Sequence, residues 1–231
     1  MQQEIEKTKI VDQATLSSIV SPTPKGKGPG LLLVDDSCHE GYLHKAAQNF
    51  SEEGYCVSTL ALPSLTNKEL LQELLLGNIE KLKKHQDQAG KVGVIFYMNS
   101  LSLELLGASV GSCKCTVIYC QSAPVSTSPL ELSSDSIICH QTTENKNNGS
   151  MTNFVYADQK TRFFDSNSNN YDKPSASIAY SRTLDFLKRK IGPIYDLQKL
   201  WEQHTMFEFS DRDVDKTMET MVSEPYVNHI P

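Results

Sequence analysis

Lys91-Val92-Gly93-Val94-Ile95-Phe96-Tyr97-Met98-Asn99-Ser100 opens the stretch that decides the fold, KVGVIFYMNSLSLELLGA over residues 91–108. Val92 to Phe96 is apolar throughout, with no polar alternation. That pattern predicts a strand buried on both faces, near the centre of a parallel sheet. A helix is predicted from about Ser100 to Ala108. The same grammar recurs on either side. Upstream, Leu31-Leu32-Leu33-Val34 is another continuous apolar run. Leu43, Ala46, Ala47 and Phe50 then recur at helical spacing between Glu40 and Glu53, and Gly54 is a good stop. Tyr55 to Leu60 reads as the next strand. Asn67 can cap a long helix whose stripe runs Leu70, Leu71, Leu74, Leu75, Asn78 and Leu82, with Ile79 beside it, to near Gly90. Downstream, strands are predicted at Thr116–Tyr119, Ser136–Cys139 and Asn153–Tyr156, and a helix from about Ser175 to Lys190. Ile19-Val20, before a Pro/Gly-rich turn, reads as an edge strand. Strands alternating with helices predict an α/β chain with a doubly wound, mostly parallel sheet of six or more strands. Functional groups are then expected just after the strands.

The chain has 231 residues, with 28 acidic and 22 basic side chains and a formal net charge of −6. The basic residues form no stripe, which speaks against nucleic acid and anionic membranes as partners. No apolar run approaches the roughly 18 residues of a spanning helix, and the opening MQQEIEKTKI has no signal-type apolar core. A cytoplasmic location is the expectation. The six cysteines lie mostly in or beside the apolar runs, where a thiol is usually reduced and inert. Cys113-Lys114-Cys115 lacks a second Cys/His pair at zinc spacing. In HEGYLH, residues 39–44, the second histidine falls at i+5 rather than the i+4 that places two ligands on one helix face. No metal or cofactor is expected. Trp201 with Met206 and Phe207 reads as packing.

At residues 91–108 the pattern resembles the dienelactone hydrolases of the α/β-hydrolase fold. KVGVIFYMNSLSLELLGA is similar to their strand–elbow–helix, which reads approximately Gly-Tyr-Cys-x-Gly-Gly with the cysteine as nucleophile. GKGPGLLLV (26–34) resembles the family's first core strand, EEGYCVSTLAL (52–62) its second, and YDKPSASIAYSRTLDFLKRKIG (171–192) its C-terminal helix. The resemblance covers residues 15–192, after a loose segment at 1–14. It implies an α/β-hydrolase-type sheet and an ester- or lactone-cleaving ancestry.

The chemistry implied by that ancestry is not carried by the residues. Phe96 stands at the first glycine of the elbow, Met98 at the cysteine, and Ser100 and Leu101 at the following glycines. A thioether has no proton to lose and does not attack a carbonyl. Where the resemblance places the histidine, the chain reads Thr161-Arg162-Phe163-Phe164, and a threonine hydroxyl is no general base near neutrality. The acid position falls on Glu144 or Asn145. The family's glutamate after the first strand matches Asp35, with Asp36 beside it. Asp35, Asn99 and His140 are candidates to line a pocket at the strand ends. The resemblance thus implies a dienelactone-hydrolase-like protein without its triad, acting by binding a small molecule. The alternative is a hydrolase with a displaced nucleophile, Ser100 or Cys38.

Beyond Gly192 the chain reads as a helical extension, 193–231. One helix, capped by Asp196, carries Leu197, Leu200, Trp201 and His204; a second spans about Arg212 to Val222 with Val214, Met218 and Met221. YDLQKLWEQHTMFEFSDRDVDKTMETMVSEPYVNHIP resembles the start of a SnoaL-like α+β domain and stops before the sheet of such a domain would form. These apolar stripes are expected to dock on the α/β domain or on a second copy, as a homodimer.

Overall fold

The computed structural model describes residues 20, 28–36, 40–62, 68–85, 91–98, 107, 111–122, 134–144, 151–194 and 197–221. Six strands form one sheet: β1 (Gly30–Asp35), β2 (Cys56–Ala61), β3 (Val92–Tyr97), β4 (Cys115–Cys120), β5 (Ile137–Gln141) and β6 (Thr152–Val155). The spatial order is β2-β1-β3-β4-β5-β6, and every neighbouring pair is parallel. Val20 adds an antiparallel bridge to Val57 at the β2 edge, as the edge-strand reading anticipated. β3 lies inside the sheet between β1 and β4, where its unbroken apolar character is needed.

Period-two alternation sorts each strand onto two cores. Leu32 and Val34 of β1 join Val94 and Phe96 of β3 on one face. Helix α2 (Lys68–His85) covers that face with Leu74, Leu75, Ile79 and Leu82. Leu31, Leu33 and Ile95 point the other way. There they meet Leu43, Ala47 and Phe50 of α1 (Glu40–Glu52), and Ala179, Phe186 and Leu187 of α3 (Lys173–Ile191). Gly54 stops α1 with φ 96°, a conformation only glycine adopts freely. Asp172 caps α3 by accepting from the Ser175 amide at 2.9 Å. The helix expected over 100–108 lies almost wholly outside the described residues.

Chain order reverses between β1 and β3: α1 leads outward to β2, and α2 returns across to β3. That switch point is where open α/β sheets form their crevice. Asp35 and Tyr97, the last residues of β1 and β3, stand side by side there.

The C-terminal segment differs from expectation. Helix α4 (Leu197–Thr205), a widened π-type turn (Met206–Asp211) and α5 (Val214–Glu219) follow α3. The last helix begins at Val214 rather than Arg212, because Arg212 turns left-handed at φ 51° and Asp213 supplies the cap. These elements pack on one another, and His204 Nδ1 lies 2.7 Å from Thr220 Oγ1. On these elements Trp201 is 67% exposed and Val214 73%, while Phe207 and Met221 are half-buried. No helix among the described residues is long and apolar enough to cross a membrane.

Candidate functional site at the strand ends

Met98 leaves β3 with its amide donating to Tyr119 O at 3.0 Å, and its side chain sits in the apolar core with only 9% exposure. Thr161 arrives from a turn-rich segment after β6. The fold brings these two residues together: both line a small crevice with Tyr97, Tyr119, Cys120, Arg162 and Phe164. Its volume is about 10 Å³, room for roughly one water molecule.

Behind Thr161 sits a residue the sequence reading passed over. Arg162 adopts φ 63°, left-handed and costly for a side chain with a Cβ. The turn aims its guanidinium at two buried carboxylates. Nη1 and Nη2 donate to Asp35 Oδ1 and Oδ2 at 3.0 and 2.9 Å. Nε and Nη2 also donate to Asp165 Oδ2 at 3.2 and 2.9 Å. Both carboxylates are fully buried. Burial opposes the charge on Arg162, but the bonds to Asp35 and Asp165 outweigh it and hold its pKa above the ordinary arginine value. The guanidinium also lies 5.7 Å from the Phe164 ring centre and 5.9 Å from that of Tyr42. The signal was present in the sequence: an acid ending a buried strand needs a cation, and Arg162 and Asp165 are spaced to share one turn.

His140, a pocket candidate, lies on β5 fully buried. Its Nδ1 is 3.0 Å from the Tyr156 hydroxyl and its Nε2 is 3.0 Å from Thr183 Oγ1. Thr183 is in turn 2.8 Å from the Tyr119 hydroxyl. Burial, with help from the Arg182 charge, pushes the imidazole pKa down to about 3, so the ring is neutral. Among lining residues His140 is absent, and it acts as a bonded core group. Glu144 is exposed. Cys38, Asn99, Ser100 and Asn145 lie outside the described residues. Cys113 and Cys115 have their thiols pushed up to about 12, chiefly by burial, which keeps them unreactive. Among the described residues no group of three or more His, Cys, Asp or Glu side chains is placed to hold a metal.

A larger pocket of about 410 Å³ opens beside the crevice, on the α1/α3 face of the sheet. Tyr97, Tyr119 and Phe164 line both and form the partition between them.

No protein-family model matches the sequence, and no curated protein matches it. Among solved structures it is similar to a Klebsiella pneumoniae protein described as "Putative Dienelactone Hydrolase". The TM-score is 0.52 at 12% identity, over 72% of this chain and 90% of that one. The fold is of the α/β-hydrolase type. Met98 directly follows β3.

Proposed function

We propose that this chain is a dienelactone-hydrolase-like protein that has lost hydrolytic chemistry and acts by binding a small molecule. The observation that carries the reading is the meeting of Met98 and Thr161 across one crevice. These are the two positions that the family resemblance assigns to nucleophile and general base. Neither side chain can do the corresponding step near neutral pH. The acid of the Asp35 position is held by Arg162 at 3.0 and 2.9 Å, and His140 is sealed in the core. Glu144 or Asn145 stands at the remaining triad position. The 193–231 extension is read as the start of a SnoaL-like domain, and self-association through it is a proposal that sedimentation velocity tests.

The test is turnover of p-nitrophenyl acetate, with intact-mass analysis after fluorophosphonate treatment. The expected result is no turnover above buffer and no adduct. Met98→Cys alone should remain inactive for want of a base, and Met98→Cys with Thr161→His is the minimum for any gain. Steady turnover by the unaltered protein, abolished by Ser100→Ala or Cys38→Ser, would establish the displaced-nucleophile hydrolase instead.

A further inference from the structure

We infer that the 410 Å³ pocket between α1 and α3 is a binding site for a planar aromatic carboxylate, held behind the Tyr97–Tyr119–Phe164 wall and away from the lost elbow. This rests on the reading of the chain as a binder and adds a place and a ligand class to it.

The volume falls within the usual range for small-molecule sites. Tyr42, Phe164, Tyr171 and Tyr180 present partly exposed rings to it, over a buried floor of Phe50, Tyr97 and Tyr119. Tyr97 and Phe164 lie 5.2 Å apart at a 33° tilt, and Tyr42 meets Tyr97 edge-on at 5.1 Å. Phe50 and Tyr180 form the facing side at 5.2 Å. Such surfaces favour a flat aromatic guest, by stacking or edge contact, over a saturated one. The deep hydroxyls of Tyr97 and Tyr119 have their pKa raised by burial, so they stay protonated and add no negative charge; that of Tyr119 is bonded to Thr183 at 2.8 Å. Lys45 is the cation among the described lining residues. It sits at the rim on α1 and reaches Ser166 Oγ at 3.3 Å. The charges of Glu53 and Glu52 are both felt at Tyr180; Glu53 is held by Lys188 at 2.9 Å, which leaves Glu52 for Lys45 to outweigh. Asn49, Ser177 and Ser181 complete a polar mouth. Rings below and a cation above match a ligand with an aromatic body and one acidic end.

The test uses 2-naphthoate, 2-naphthamide and cyclohexanecarboxylate with the full chain, by calorimetry and amide shift mapping. Saturable binding of 2-naphthoate is expected, with shifts confined to residues around Lys45–Phe50 and Ala176–Ser181. The amide should bind up to about fivefold more weakly, the loss of one exposed ion pair. The saturated acid should bind about two- to tenfold more weakly. Lys45→Glu should abolish the preference for the acid over the amide. Ala176→Trp, and Ser177→Trp at the mouth, should block all three ligands while circular dichroism stays unchanged. Absence of saturable binding, or binding indifferent to both tryptophan variants, overturns the site and leaves the non-hydrolytic reading to its own assay. Turnover of p-nitrophenyl acetate overturns that reading and leaves naphthoate binding standing.

Discussion

Arg162→Met isolates the most heavily committed polar group in the strand-end region. The guanidinium makes two bonds to Asp35 and two to Asp165. Its side chain is 12% exposed, and both carboxylates are at 0%. Removing one member of so buried a group leaves charge in a dry site and typically costs about 3–5 kcal/mol. That is a large part of the roughly 5–15 kcal/mol that holds a domain together. Relief of the left-handed strain does not offset it, because methionine keeps the Cβ. Urea unfolding followed by circular dichroism measures this. Asp35→Asn and Asp165→Asn added to Arg162→Met should recover most of the loss by removing the stranded charges. A penalty below about 1 kcal/mol, or no recovery in the triple variant, would refute the reasoning.

His140 ties stability to pH. Its folded pKa of about 3 lies below the ordinary 6.5, so only the unfolded chain is protonated between those values. Its contribution is full above pH 6.5 and falls with acidification at up to about 1.4 kcal/mol per pH unit. Urea midpoints at pH 7.5 and 5.5 should show this slope in wild type and lack it in His140→Gln; equal slopes would sink the assignment. Gly93→Ala places a methyl 3.0 Å from Cys115 Sγ and 3.1 Å from Ile191 Cδ1, and overpacking of this kind should lower stability by about 1–3 kcal/mol. A neutral Gly93→Ala would mean that α3 gives way easily. Deleting 195–231 should leave the melting temperature of the α/β domain nearly unchanged, because Trp201, Phe209 and Val214 are exposed. A fall of several degrees in differential scanning calorimetry would show that the extension contributes to the domain after all.

Much of the fold was legible because burial writes itself as pattern. β1 and β3, covered on both faces, read as unbroken apolar runs, and α1 announced its inner face through Leu43, Ala47 and Phe50 before Gly54 ended it. The sequence also determined, through the resemblance at Phe96, Met98 and Thr161, which residue types stand where hydrolytic chemistry was expected. Side-chain chemistry is local, and no tertiary arrangement gives a thioether a proton to lose. Three matters were decided only by the tertiary structure. The Arg162–Asp35–Asp165 group joins residues 127 positions apart, through a left-handed turn that no propensity marks. His140 looked available at a strand end, yet Thr183 on α3 and Tyr156 beyond β6 close around it, because helix packing sets access. The exposed stripes of α4 and α5 carry helical periodicity, which states that a face is apolar and is silent about what covers it. Periodicity is a property of the chain along one axis; partnership between distant side chains depends on how the sheet and helices meet in three dimensions.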